Sequence, residues 1–92
     1  MNYNINDKKY HYVYKITNDI DDRYYIGKHS TNNLNDGYMG SGLKLQKLFK
    51  KYGIEHFKKD ILKLFESSDD AYKYEGELVN NETLKDKNCL NI

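Results

Sequence analysis

Apolar and polar positions fall into two alternating phases from Tyr10 to Thr17: Tyr10, Tyr12, Tyr14 and Ile16 in one, His11, Val13, Lys15 and Thr17 in the other. A period of two is the mark of a strand. The turn-forming run "NDID" (18–21) follows, then a second extended run, "DRYYIGKH" (22–29), so the two read as a hairpin. Closing the loop with residues 18–21 sets Thr17 opposite Asp22 and Tyr14 opposite Tyr25. Opposed side chains lie about 4.5–5.5 Å apart at Cβ, which makes the two phenols neighbours. Periodicity disappears over "STNNLNDGYMGSG" (30–42), a loop. In "LKLQKLFKKYG" it becomes helical, with Leu45, Leu48, Phe49 and Tyr52 at i, i+3, i+4 and i+7, Ser41 as N-cap and Gly53 as stop. "FKKDILKLF" (57–65) reads as a third strand, and "SSDD" (67–70) caps a second helix over 71–80. The order β-β-α-β-α with short links predicts an α+β fold: a small three-stranded, mostly antiparallel sheet flanked by helices.

The second helix raises a question of chemistry. At 100° per residue from Ala71, Glu75 falls inside the stripe formed by Tyr74, Leu78 and Val79, whereas Glu77 points to solvent. An ionised carboxylate on an apolar face is costly unless it is paired. A lysine at the edge of the core or partial exposure near the helix end would satisfy it, and so would a divalent cation, which favours hard oxygen ligands. Spacing alone leaves these open.

With 92 residues, 38% hydrophobic and 32% charged, the chain suits one domain over 10–92 behind a loosely ordered segment, 1–9. Ten tyrosines enlarge a modest core, each with a polar tip. No apolar run is long enough to span a membrane, and the N-terminus is too polar for a signal peptide. The single Cys89 forms no internal disulfide and fits a reducing, intracellular setting; with only three histidines it also argues against a structural zinc site. Charge is uneven: eleven Lys/Arg against six Asp/Glu over 1–59, and four against eight over 60–92. A basic first part suits phosphate.

Together the motifs resemble the GIY-YIG nuclease domain over about residues 12–92. "YVYKITN" (12–18) stands at the first motif, with Tyr12 in place of its glycine and Tyr14 at its tyrosine; "YIG" (25–27) matches the second. "GKHSTNNLNDGYMGSG" and "LKLQKLFKKYG" are similar to the loop and first conserved helix of phage-type free-standing and intron-encoded homing endonucleases. Glu75 falls on the family's metal-binding glutamate and Asn91 of "CLNI" on its late asparagine. One departure stands out: family members usually carry an arginine in the first helix, and the only arginine here, Arg23, lies elsewhere.

The resemblance implies metal-dependent hydrolysis of a DNA phosphodiester, with Mg²⁺ or Mn²⁺ on Glu75. Tyr14 is then expected to accept a proton from water, Tyr25 to assist it, and Asn91 to position the glutamate or the loop. Lys28 and His29 together are expected to supply the positive charge that the helix arginine would give. Lys44, Lys47, Lys51 and Tyr38 are candidates for contact with double-stranded DNA. With no separate targeting region following the motifs, sequence specificity is expected to be low, or to come from a homodimer or a recruiting partner. The alternative is a nucleic-acid-binding module of the same fold with impaired catalysis. The resemblance also fits a phage-encoded protein acting inside the host cell.

Overall fold

A computed structural model describes residues 7–91; most of the segment expected to be loosely ordered lies outside them. Three strands, β1 (Tyr10–Asn18), β2 (Tyr24–Thr31) and β3 (Phe57–Phe65), form an antiparallel sheet in the order β2-β1-β3. Helix α1 (Leu43–Tyr52) and a 3-10 turn (Ile54–His56) connect β2 to β3, and α2 (Ser68–Leu78) and the short α3 (Asn81–Lys85) follow. The expected α+β order is present, with α3 added where the sequence read as polar tail. Among the described residues no helix is long and apolar enough to cross a membrane.

Both phases of β1 are used because β1 is the central strand. Tyr12, Tyr14 and Ile16 pack with Leu45, Leu48, Phe57 and Leu90 on the α1 face. Val13 packs with Ile26 and Ala71 on the α2 face, supported by Tyr74, Leu78 and Val79. Fully burying a side chain such as Leu45 contributes roughly 1.5–3 kcal/mol. α2 is capped as expected: Ser67 accepts from the Asp70 N–H at 3.1 Å. The Ser41 cap of α1 is not formed. The helix begins at Leu43, with Gly42 at its N-cap and no side-chain cap bond; the Ser41 hydroxyl is engaged by Tyr25.

The hairpin register also differs from the expected one. Thr17 pairs with Tyr24, and Tyr14 lies opposite Gly27 instead of Tyr25. Asn18 stays in the ladder, its N–H donating to the Arg23 carbonyl at 2.9 Å, while its side-chain oxygen accepts from the Ile20 N–H at 2.7 Å. The loop is therefore 19–22, and Asp22 closes it with a left-handed φ of 60°. The slip is two residues, an even number, so every side chain keeps its face. It places the Tyr14 ring over the bare backbone of Gly27, and Tyr25 becomes its diagonal neighbour, with ring centroids 6.2 Å apart.

The C-terminal tail completes the β2 edge. The Tyr24 N–H donates to the Asn88 carbonyl and the Leu90 N–H to the Tyr24 carbonyl, at 2.9 and 2.7 Å. The Asn91 side chain then grips the Ile26 backbone at both ends, accepting from its N–H at 2.9 Å and donating to its carbonyl at 2.7 Å. A sheet edge covered in this way is protected from unwanted pairing.

A Cβ at position 27 would collide with the Tyr14 hydroxyl and the Tyr25 ring. Gly27→Ala is therefore expected to destabilise the fold by about 1–3 kcal/mol, the usual cost of overpacking. Urea denaturation measures it; a wild-type midpoint for the variant would contradict this packing.

Candidate active site

β2 carries its residues to two faces, and this division governs the site. Tyr25 projects on the α1 face at the sheet edge, where α2 and the tail come round to meet it. There Tyr25, Glu75 and Asn91 line one cleft of about 340 Å³, with Gly42, Leu43 and Leu90. Glu75 is half-buried, as its place in the apolar stripe implied. Burial pushes its carboxyl pKa up, and the nearby positive charge of Lys28 only partly offsets this. Bare backbone matters here too, since a Cβ on Gly42 would collide with the Tyr25 ring.

Tyr14 lies beneath. It is only 1% exposed, enclosed by Gly27, by Gly40 of the loop above it and by Tyr38, whose ring meets it edge-on with centroids 5.8 Å apart. Burial raises its phenol pKa strongly. The pKa of Tyr25 is also raised by burial, but hydrogen bonds from Ser41 and Tyr14 act in the opposite direction. Of the two phenols, Tyr25 is the one that meets the cleft and the one whose ionised form is supported by neighbouring donors.

Lys28 and His29 do not come together. They are consecutive strand residues, so their side chains point to opposite faces. Lys28 lies on the α2 face, donating to Ser68 Oγ at 2.5 Å and influencing Glu75. His29 lies on the α1 face, stacked on Tyr38 with centroids 3.6 Å apart and paired with Asp36 at 2.8 Å. That pairing, with the Tyr38 N–H on the same carboxylate, holds Asp36 well below the usual carboxylate range. Tyr38, expected as a contact with DNA, is thus part of the inner aromatic cluster. Lys44, Lys47 and Lys51 are exposed along α1. The side chain of Asn91, occupied by Ile26, holds the tail and Leu90 at the cleft.

One charged residue at this cluster escaped the sequence reading. Lys59 of β3 faces inward opposite Ile16. Its ammonium donates to the Tyr12 hydroxyl at 2.5 Å and to the Tyr38 carbonyl at 2.8 Å. It lies 4.8, 5.5 and 5.7 Å from the ring centroids of Tyr12, Tyr14 and Tyr38, within cation–π range. The signal was present in the strand parity, since Phe57, Lys59 and Ile61 share one phase.

No group of three or more His, Cys, Asp or Glu residues is arranged to hold a metal among the described residues. The donor set is one half-buried carboxylate, Glu75, at an open cleft. It fits an ion such as Mg²⁺, which commonly binds through one or two carboxylates and substrate phosphate while keeping several waters. It does not fit an ion that needs an all-protein cage.

The model of the GIY-YIG catalytic domain matches residues 10–88. Among curated proteins of Enterobacteria phage T4, "Putative endonuclease segE" is 52% identical over 83 residues, covering 90% of this chain and 40% of that protein. "Putative endonuclease segC" is 48% identical over 86 residues, 94% of this chain and 43% of that protein. "Endonuclease segA" is 43% identical over 86 residues, 94% of this chain and 39% of that protein. The chain thus spans about 40% of the length of the curated relatives it matches. No solved structure matches it.

The raised pKa of Glu75 has a consequence for stability. A carboxyl that holds its proton more tightly when folded stabilises the fold fully below its unfolded pKa of about 4.3, and that contribution is lost as pH rises through the folded value. Glu75→Gln is therefore expected to raise the melting temperature at pH 7 and to leave it near the wild-type value at pH 4. Thermal unfolding across that range checks the sign; a variant less stable than wild type at pH 7 would show that ionised Glu75 is well paired.

Proposed function

The chain belongs to the GIY-YIG catalytic-domain family, and we propose that it is an endonuclease domain that hydrolyses DNA phosphodiester bonds with the help of a divalent metal, Mg²⁺ or Mn²⁺. The observation that carries this reading is the shared cleft: a phenol from the hairpin, Tyr25, and an inward-turned acid from α2, Glu75, line the same 340 Å³. The similarity to phage proteins named as endonucleases supports the substrate class.

In this reading Tyr25 takes the role first expected of Tyr14. Its deprotonated oxygen accepts a proton from water as the water oxygen bonds to phosphorus; one P–O ester bond breaks, and the leaving oxygen is protonated by solvent. Tyr14, buried below, donates a hydrogen bond that favours the Tyr25 phenolate. Ser41 supplies a second such bond. Glu75 would hold the metal, which supplies Lewis-acid polarisation of the phosphate. Lys28 moderates the charge of Glu75 from the opposite face of β2. His29 is a positioning residue, setting Tyr38 through their stacked rings. The exposed lysines Lys44, Lys47 and Lys51 would add salt-sensitive, sequence-independent attraction to duplex DNA. Low intrinsic specificity follows for this domain.

A second reading, nucleic-acid binding without cleavage, is favoured by one observation. Arg23 is held in the hairpin turn by Asp21 at 3.4 Å, so no arginine lines the cleft.

Plasmid nicking with Mg²⁺ or Mn²⁺ tests both. Tyr25→Phe and Glu75→Gln are expected to lose at least about 10²-fold in rate, as for loss of a general base. Tyr14→Phe is expected to retain residual activity whose rise with pH is shifted to more alkaline values, because the Tyr25 phenolate loses a donor. Equal nicking by all variants would remove the site, and binding with no cleavage in any divalent metal would establish the second reading.

A further inference from the structure

Lys59 is a cation on the inward phase of a strand, where burial has a cost. Burial pushes its ammonium pKa down. Among the described residues no carboxylate lies within ion-pair distance of it; the acid whose charge it feels, Asp36, is paired with His29. Three tyrosine faces and two oxygen acceptors hold it in place, yet none of them neutralises its charge. An ammonium has three N–H donors, and these acceptors use two.

The remaining capacity is at a cleft. Lys59 lines a second concavity, about 400 Å³, between the 34–39 loop and β3. Asn35 contributes an amide, Tyr38 an aromatic ring, and Leu34, Met39 and Ile61 apolar surface. The two clefts lie at opposite ends of one phenol row: Tyr25 lines the first, Tyr38 the second, and Tyr14 touches both rings from between them. A fixed, unneutralised cation beside a mixed polar and apolar hollow suits a phosphate with its attached nucleoside better than a free inorganic anion.

We propose that Lys59 binds a backbone phosphodiester of the nucleic acid in this second cleft, at a position flanking the one that occupies the Tyr25–Glu75 cleft. The inference rests on the endonuclease reading for its ligand class. The contact is a point charge held in an aromatic box, and it sets the register of the strand between the two clefts.

Binding measured without cleavage separates this proposal from that reading. Fluorescence anisotropy with a labelled duplex in EDTA, between about 50 and 200 mM salt, gives the slope of log affinity against log salt. Lys59→Met is expected to make that slope shallower by about 0.9, one phosphate contact's worth on B-DNA, whereas Lys59→Arg keeps it. Lys73→Met, on the exposed side of α2, is expected to leave it unchanged. A wild-type slope for Lys59→Met would overturn the proposal while the nuclease reading stands. Absence of DNA binding by the wild type would count against the nuclease reading itself. Should Lys59→Met fail to fold, NMR of the lysine methylene signals in wild-type protein titrated with dimethyl phosphate decides. A saturable shift at Lys59 larger than at Lys73 supports the contact, and none overturns it.

Discussion

Tyr14 lies on the bare backbone of Gly27, and the candidate site is assembled around that close approach. A methyl group at position 27 would occupy the place of the Tyr14 hydroxyl. Because it is absent, a large ring fits flat against the central hairpin and its hydroxyl reaches Tyr38 on one side and Tyr25 on the other. Gly42 repeats the device beneath the Tyr25 ring. A glycine inside a strand lacks a side chain to pack, and here the neighbouring strand's phenol fills that space. Two glycines thus set the height of two phenols relative to the sheet, and the height of Tyr25 brings its oxygen to the cleft with Glu75.

The cleft itself depends on contacts distant in sequence. α2 packs on the face opposite Tyr25, and Glu75 reaches the phenol only because β2 is an edge strand around which α2 can approach. That edge would be open without the tail. Residues 88–91 close it through backbone bonds to Tyr24 and the two side-chain bonds of Asn91 to Ile26. An asparagine is well suited to this, since its amide mimics a peptide group with donor and acceptor on one carbon. Asn91, expected to position the glutamate or the loop, has its polar atoms engaged by the Ile26 backbone and holds the tail at one wall of the cleft.

What could be read in the sequence was periodic. The two phases of 10–17, the apolar stripe of 43–53 and the inward turn of Glu75 follow from residue spacing alone, and the structure has each of them. The hairpin register was less accessible. Turn composition pointed to 18–21, but Asn18 serves the ladder with its backbone and the turn with its side chain, so the loop moved one residue along. The same dual use defeated the Ser41 cap, a residue type equally suited to a helix N–H and a nearby phenol. Lys59 was hidden for another reason. β3 is an edge strand with a bulge opposite Val13 and Tyr14 and with Ile61, Leu62 and Leu64 all more than 40% exposed. Its alternation is therefore blurred, and an inward lysine resembles a solvated one. The stacking of Tyr38 on His29 comes from an aperiodic loop and had no signal to find.

The placement of the cations is what gives these contacts a common direction. A helix arginine would serve one point of the site with a bidentate fork, whereas the lysines here are point charges distributed among different elements. Lys28 acts on Glu75 through the edge of the sheet, and Lys59 sits among the phenols at the other end of the row. Between them Tyr14 is kept protonated by burial, so the middle of the row is neutral. A protonated Tyr14 can pass a donor to Tyr25, and in the proposed reading this leaves Tyr25, the phenol lining the cleft with Glu75, as the proton acceptor. Point charges on separate elements, with one phenol and one carboxylate lining the same cleft, use the tyrosines and lysines in which this sequence is rich.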